Sequence, residues 1–221
     1  MILCFQSTIR AMKSRIKPAR HPKNRYLIGI DEVGRGPIAG PVAVGAFVFL
    51  NERAPKLFHG VKESKQLSEK QREEWFAKIL DAQKAGQVDF RVTFKSEKII
   101  DRLGLTSAIK SALETSLNGL SLEPSACRVL LDGGLKAPAK YADQCTIIKG
   151  DEKEKVIALA SICAKVLRDR KMNALAKKHP QYGFEKHKGY GTRAHYLAVN
   201  KFGMLPIHRR SFLKKQQKHQ P

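Results

Sequence analysis

The segment that determines the fold class is residues 26–50, which read YLIGIDEV, then GRGPIAG, then PVAVGAFVFL. The first eight residues are rich in strand-forming side chains and predict a β-strand over 26–33, and residues 41–50 predict a second strand. Residues 34–40, between them, contain three glycines and one proline, a composition typical of a turn. The folded part of the chain therefore begins near Tyr26 with two strands joined by a glycine-rich turn.

The rest of the chain alternates between strand-like and helix-like segments. Ser68 and Gln71 form a capping box, which predicts a helix over 69–82. Further strands are predicted at 88–94, 128–131 and 145–149, and further helices at 105–117, 152–178 and 193–200. Strands with helices between and after them indicate an α/β fold with a mixed β-sheet flanked by helices. Residues 179–212 are expected to form a small C-terminal helical lobe.

The charge of the chain indicates its class of partner. Lys and Arg number 42 against 20 Asp and Glu in 221 residues, which gives a formal net charge of +22. Such an excess favours a polyanion, most often nucleic acid. An anionic membrane surface is the lesser alternative, because no basic amphipathic helix with bulky apolar residues stands out. No apolar run approaches the roughly 20 residues of a membrane span, so we expect no membrane association and a soluble chain.

The termini and the cysteines bear on organisation and location. Residues 1–25 carry seven basic and no acidic side chains, and we expect a disordered basic arm or a start upstream of the natural one at Met12. An organellar transit peptide is the alternative. Residues 26–212 are expected to form the folded domain and residues 213–221 a basic tail. The four cysteines form no C-x-x-C pair, which suits a reducing, cytoplasmic location.

Four carboxylates follow the predicted strands. Asp31 and Glu32 close the first strand, Asp132 follows the strand over 128–131, and Gly150-Asp151 follows the strand over 145–149. Each has a purely structural interpretation, as a solvated strand end, an Asp-Gly turn or a helix cap. Their coincidence in a strongly basic chain favours a common site, because catalytic residues of open α/β sheets collect at strand ends.

A cluster of four carboxylates requires cations, because like charges in one site repel and raise each other's pKa values. Two Mg²⁺ or Mn²⁺ ions about 4 Å apart would neutralise the cluster, and they suit phosphodiester cleavage. One ion activates water and the other stabilises the leaving oxygen. We exclude Asp169 from the cluster, since it lies about 27 Å beyond Asp151 on one predicted helix. We expect it to form a surface ion pair with its neighbours Arg168 and Arg170.

The motifs resemble those of the ribonuclease HII family over nearly the whole folded chain. In the family's order, the matching blocks are GIDEVGRGPIAGPV at 29–42, SKQLS at 64–68, LDG at 131–133, GD at 150–151, IALASICAKVLRD at 157–169, and HKGYGT at 187–192 with His195. The sequence departs from the family pattern at Glu63, where aspartate is usual, and at Leu159, where alanine is usual. Glu63 keeps its charge and Leu159 is expected to pack, so neither places activity in doubt.

The resemblance implies a ribonuclease H-like fold with a helical C-terminal lobe. It assigns metal coordination and catalysis to Asp31, Glu32, Asp132 and Asp151. The implied partners are RNA/DNA hybrids, whose RNA strand is hydrolysed, and duplex DNA nicked on the 5′ side of embedded ribonucleotides. The implied products carry a 3′-hydroxyl and a 5′-phosphate, as ribonucleotide removal in DNA replication and repair requires.

The resemblance also assigns substrate contacts. The turn Gly34-Arg35-Gly36 would contact the ribose 2′-hydroxyl, the group that distinguishes RNA from DNA. Tyr190 would pack on the next sugar and sense the RNA-to-DNA junction. Ser64 and Lys65 would hold backbone phosphates, with Lys65 as a point charge. From the residues alone, a plain loop tyrosine is the more common interpretation of Tyr190, and Lys65 could equally be a solvated lysine.

Two other functions remain as alternatives. The first is another nuclease or nucleotidyl transferase of the same fold, since fold alone does not fix activity. The second is a non-catalytic, basic RNA-binding protein, which would explain the charge but not the acid-ended strands. We expect the chain to act as a monomer.

Overall fold

A mixed β-sheet forms the centre of the computed structural model, which describes residues 26–217, with the backbone alone for 214–217. Within that range the sheet has five strands: β1 Tyr26–Val33, β2 Val42–Phe49, β3 Val88–Lys95, β4 Cys127–Asp132 and β5 Gln144–Ile147. Their order is β3-β2-β1-β4-β5. The β1–β2 and β2–β3 pairs are antiparallel, and the β1–β4 and β4–β5 pairs are parallel. The mixed α/β sheet expected from the sequence is confirmed.

Helices cover both faces of this sheet. In chain order they are α1 Ala54–Leu57, α2 Glu69–Lys84, α3 Glu97–Leu103, α4 Leu105–Gly119, α5 Gly150–Lys153, α6 Lys155–Lys178, α7 Phe184–His187, α8 Arg193–Phe202 and α9 Arg210–Gln217. No helix within residues 26–217 has the length and apolar character needed to cross a membrane. The expected arm over 1–25 lies outside the described residues. The expected boundary at 212 falls inside α9.

Local sequence signals predict the bounds of most helices and strands to within a few residues of those in the structure. The strand predicted over 26–33 has those bounds in the structure. The capping box is confirmed, because Ser68 Oγ accepts from Gln71 N at 3.2 Å and Gln71 Oε1 accepts from Ser68 N at 2.9 Å. Gly104 separates α3 from α4, as its interruption of the helical pattern predicted.

The prediction of a single helix over 152–178 is wrong for the first turn. The chain forms the short α5, becomes extended at Glu154 with φ −119° and ψ 114°, and only then begins α6. Tertiary contacts override the helical pattern here, because Gly150 N donates to Asp132 Oδ1 at 2.6 Å and ties α5 to the end of β4. The strand predicted over 145–149 also ends early, at Ile147, since Lys149 adopts φ +54°.

Close contact between α6 and the sheet fixes the position of the side chains that α6 contributes to the rest of the structure. A Cβ added at Gly29 of β1 would lie 2.3 Å from the backbone of Val156, and one at Gly45 of β2 would lie 2.4 Å from the Ala160 carbonyl oxygen. Larger side chains at either glycine would push the helix away. Leu159 is fully buried in this interface, which confirms the packing role expected for it. On the opposite face, α4 buries its apolar side against β2 and β3.

A separate apolar cluster holds the C-terminal lobe together. Its buried members are Ala39, Met172, Ala176, Tyr182, Phe184 and Ala198. Three histidines border it: the rings of His187 and His195 stack with centroids 4.4 Å apart, and His208 lies 5.2 Å from His195. His195 and His208 are almost completely buried.

The hydrogen bonds of these histidines define where their protons lie. His195 Nδ1 donates to the carbonyl oxygen of Tyr190 at 2.8 Å, because a carbonyl can only accept. Burial lowers the pKa of both His195 and His208, and in the neutral ring His195 Nε2 accepts from His208 Nε2 at 3.1 Å while the opposite nitrogen of His208 accepts from Leu205 N at 2.8 Å. Both rings are satisfied while neutral. A chain of hydrogen bonds through the neutral, buried rings of His195 and His208, called the histidine relay below, therefore fixes the backbone of Tyr190.

The histidine relay should make stability depend on pH. Burial lowers the pKa of His195 from 6.5 to about 4, so below pH 6.5 the unfolded chain binds a proton that the folded state excludes. The contribution of His195 to the free energy of unfolding is therefore full above pH 6.5 and is lost as pH falls towards 4, by roughly 3 kcal/mol. His195→Asn, which retains a donor for Tyr190, should flatten this dependence in denaturant titrations between pH 7 and 4. The exposed control His59→Asn should keep the wild-type profile. An unaltered profile for His195→Asn would refute the neutral assignment.

Candidate active site

A cleft of about 380 Å³ lies where β1 and β4 end side by side. Because the two strands are parallel neighbours, their carboxyl ends meet at one edge of the sheet. Nine of the ten residues predicted for the site line this cleft: Asp31, Glu32, Gly34, Arg35, Gly36, Ser64, Lys65, Asp132 and Tyr190. Ser161 and Lys165 of α6 complete the wall. The tenth, Asp151, lies behind Lys65, whose Nζ is 3.1 Å from Asp151 Oδ2.

The carboxylates destabilise one another's charged forms. Burial, with smaller contributions from the charges of Glu32, Asp132 and Asp151, raises the pKa of Asp31 to about 8 against an opposing hydrogen bond from Ser161. Burial also raises the pKa of Glu32, against the lowering effect of Arg35. The mutual repulsion expected from the sequence is therefore present, and Asp31 is its focus.

Each carboxylate has a donor or cation beside it. Asp31 Oδ1 accepts from the Glu32 amide at 2.8 Å. Asp132 accepts from Gly150 N, Asp151 pairs with Lys65, and Glu32 Oε1 pairs with Arg35 at 2.9 Å. Among residues 26–217, no three acidic, histidine or cysteine side chains stand ready-made as a metal-ligand set. The acids are adjacent, but protein cations and amides occupy their oxygens.

The donor chemistry nevertheless fits a hard divalent cation. Glu32 Oε2 is buried and has no hydrogen-bond partner, which leaves one carboxylate oxygen available. The Lys65 ammonium is mobile in principle, because its side chain is 77% exposed whereas that of Asp151 is 3% exposed. Because Asp151 is buried, the ammonium can leave it when another cation takes its place. Oxygen ligands of this type are those that Mg²⁺ and Mn²⁺ prefer.

The glycine-rich turn lines the same cleft as the acids. Gly34 has φ +91°, and a Cβ at this position would lie 2.2 Å from Arg168 Nε. A Cβ at Gly36 would lie 3.5 Å from the ring of Tyr190, which is 44% exposed above it. The turn and Tyr190 therefore form one continuous surface beside the carboxylates.

Comparison with known proteins identifies the family. A family model described as Ribonuclease HII matches residues 28–215. The chain belongs to the ribonuclease HII family. The ribonuclease HII of Coxiella burnetii (strain Dugway 5J108-111) is 42% identical over 194 residues, covering 88% of this chain and 91% of the relative. That of Caldicellulosiruptor bescii is 42% identical over 190 residues, covering 86% and 87%.

Solved structures agree on the fold. The ribonuclease H2 of Pyrococcus horikoshii OT3 matches with a TM-score of 0.66 at 27% identity, covering 88% of this chain and 98% of that one. A ribonuclease HII of Archaeoglobus fulgidus, solved in complex with PCNA, matches with a TM-score of 0.64 at 27% identity, covering 83% and 93%. The ribonuclease H-like fold is confirmed. As a ribonuclease HII, the chain is a metal-dependent endoribonuclease of the ribonuclease H type, acting on nucleic acid.

The prediction that Asp169 forms a surface ion pair with Arg168 and Arg170 is wrong. Asp169 is only 4% exposed and pairs with Lys165 Nζ at 2.9 Å, one helical turn away, with Arg72 at 4.0 Å. Its flanking arginines point elsewhere, Arg170 to Glu73 and Arg168 into the protein interior. The spacing of Lys165 and Asp169, four residues apart on a helix, was the signal that could have found this pair.

Sequence analysis did not identify Lys165, which lines the cleft, or three further contributors to the site. Ser161 hydrogen-bonds Asp31 and lies 2.8 Å from Ser64 Oγ, so it links the acids to the loop that carries Lys65. Arg168 and Arg209 are fully buried behind the glycine-rich turn. No local pattern marks Ser161, Arg168 or Arg209, because their partners lie far away in the chain.

The contact between Gly34 and Arg168 leads to a stability prediction. Gly34→Ala should reduce the free energy of unfolding by about 2 kcal/mol more than Gly60→Ala, because only the first variant meets a buried side chain. Gly60 is a matched control, since its φ is +79° and a Cβ there would meet nothing within 4 Å. Urea denaturation of both variants measures the difference. Equal losses would mean that backbone strain alone, and not Arg168, requires glycine at 34.

Proposed function

We propose that this ribonuclease HII hydrolyses the RNA strand of RNA/DNA hybrids and nicks duplex DNA on the 5′ side of single embedded ribonucleotides. The products would carry a 3′-hydroxyl and a 5′-phosphate. The observation that carries this proposal is the meeting of Asp31, Glu32 and Asp132 in a cleft that the glycine-rich turn and Tyr190 also line, with Asp151 directly behind Lys65. The acids suit phosphodiester chemistry, and the turn with Tyr190 suits a sugar.

Asp31, Glu32, Asp132 and Asp151 are the proposed metal ligands. Two divalent ions bound there, Mg²⁺ or Mn²⁺, would supply an activated water and stabilise the leaving oxygen. The burial that raises the pKa of Asp31 also strengthens its attraction to a cation. Lys65 and Arg35, which now neutralise Asp151 and Glu32, become available for substrate phosphates once the acids hold cations.

Selection of ribose is proposed to take place at the turn Gly34-Arg35-Gly36. Two of its three residues have no side chain, so the backbone can approach a sugar closely. The 2′-hydroxyl is the group by which a protein distinguishes RNA from DNA at a single position. Tyr190 stands against Gly36 with its ring partly exposed, where it can pack on the adjacent sugar.

The wider setting follows from the substrate. We propose that the enzyme removes ribonucleotides from DNA during replication and repair in the cytoplasm, and the exposed thiol of Cys145 suits such a reducing compartment. We also propose that the enzyme acts as a monomer. Residues 179–212 are proposed as a lobe that carries Tyr190 to it.

A nicking assay tests the function. With Mg²⁺, the enzyme should nick a duplex containing one ribonucleotide and leave the all-DNA duplex intact, and chelation should stop the reaction. Asp31→Asn should lower the cleavage rate at least 1000-fold while substrate binding persists, because a metal ligand is lost. The control Asp81→Asn, at an exposed position on α2, should remain active. Equal cutting of both duplexes would reject ribose selection, and an active Asp31→Asn enzyme would reject the metal mechanism.

Salt dependence tests the phosphate contacts. The logarithm of the binding constant should fall linearly with the logarithm of salt concentration, by about 0.9 per phosphate contacted. Lys65→Met should reduce that slope by about 1 if Lys65 holds a phosphate. Lys84→Met is the control, because Lys84 lies at the other end of α2, where it pairs with Asp81. An unchanged slope for Lys65→Met would remove Lys65 from the binding surface.

A further inference from the structure

Two arginines lie completely inside the protein, behind the glycine-rich turn. Arg168 comes from α6 and Arg209 directly precedes α9, and each has a relative exposure of 0%. Neither forms an ion pair with any carboxylate in the described part of the chain. Burial lowers the pKa of Arg209 to about 9, with the charge of Arg168 acting in the same direction, so both remain cations at neutral pH.

Backbone carbonyls take the place of counterions. Arg209 donates from Nη2 to the Gly34 oxygen at 2.7 Å, from Nη1 to the Arg35 oxygen at 2.9 Å, and from Nε to the Gly40 oxygen at 2.9 Å. Its own amide donates to the Ile38 oxygen at 2.7 Å. One side chain, 174 residues beyond Arg35 in sequence, thus holds the turn at both ends.

Arg168 joins the turn to the segment that carries Tyr190. Its Nε donates to the Pro41 oxygen at 2.9 Å and its Nη1 to the Lys188 oxygen at 3.1 Å. The amides of Ile38 and Ala39 donate to the Gly189 oxygen at 2.9 and 3.2 Å. The two guanidiniums therefore fix the turn relative to Tyr190 as well as to the sheet.

Stability of the fold alone does not explain this arrangement. Burying a guanidinium without a carboxylate is unfavourable, and well-packed apolar side chains commonly replace buried charges without loss of stability. A planar fork of donors, however, can orient several carbonyls at once, which an apolar side chain or a lysine cannot do. The feature that the arginines supply is a defined orientation of residues 34–41.

We propose that Arg209, supported by Arg168, is a positioning residue for cleavage, because it fixes the backbone of Gly34 and Arg35 where the ribose of the substrate binds. This inference rests on the proposed function of the turn. Arg209 touches no reacting atom, and it acts through the turn alone. Small displacements of a bound reactant lower rates by up to about 100-fold, so loosening the turn should impair the chemical step more than binding.

Single-turnover cleavage of the one-ribonucleotide duplex, with enzyme in excess, tests the role of Arg209. In Arg209→Lys, which keeps the charge but loses the fork, the rate constant at saturating enzyme should fall 10- to 100-fold. The enzyme concentration for half-saturation should change less than threefold. The control Arg210→Lys, at the adjacent exposed position, should match the wild type in both quantities.

The outcomes separate the possibilities. A merely unfolded fraction would raise the half-saturating concentration and leave the saturated rate constant unchanged, and that result would overturn the positioning role. An Arg209→Lys enzyme equal to wild type would also overturn it. Failure of the wild type to cut would instead reject the proposed function.

If Arg209→Lys does not fold, amide hydrogen exchange on the wild-type protein tests instead whether the turn is held rigidly. The amides of Ile38, Ala39 and Gly40 should then exchange as slowly as those of β1, because the held turn opens only with the core. Exchange at rates typical of an exposed loop would overturn the proposal.

Discussion

Mutual repulsion among four carboxylates at one edge of the sheet is the constraint on which the rest of the site depends. Burial is the largest cause of the raised pKa of Asp31, and the charges of Glu32, Asp132 and Asp151 add to it. The surrounding groups respond to the repulsion: an ammonium from Lys65, a guanidinium from Arg35 and the amide of Gly150 each contact one of the acids. A protein rarely retains such a cluster without a cation to bind, and the family to which this chain belongs is metal-dependent.

The sheet and α6 convert this cluster into a cleft. Gly29 and Gly45 allow the helix to lie directly on β1 and β2, and the helix then presents Ser161 and Lys165 beside the acids and Arg168 beneath the turn. The same helix continues into the lobe, where Met172 joins the cluster under Tyr190. One helix thus relates the acidic part of the cleft to the glycine-rich turn and Tyr190.

The sequence predicts what depends on local pattern. Strand composition located β1, a capping box located α2, and the acids that follow predicted strands do come together, because parallel strands end at a common edge. The break at Glu154 and the burial of Asp169 were missed, since both result from packing between distant segments. The contacts of Arg209 with Gly34 and Arg35 are the clearest case, because nothing within 170 residues of that arginine indicates its partners. The basic arm over 1–25 stays a prediction.

Direct observation of bound metal tests the central claim. Crystals of the enzyme soaked in Mn²⁺ can be measured at the manganese absorption edge, where the anomalous signal locates the ion. The account predicts a peak at the ends of β1 and β4, within about 2.2 Å of oxygens from Asp31 and at least one other acid, with Lys65 withdrawn from Asp151. A map without a peak there, or with manganese bound only elsewhere, would contradict it.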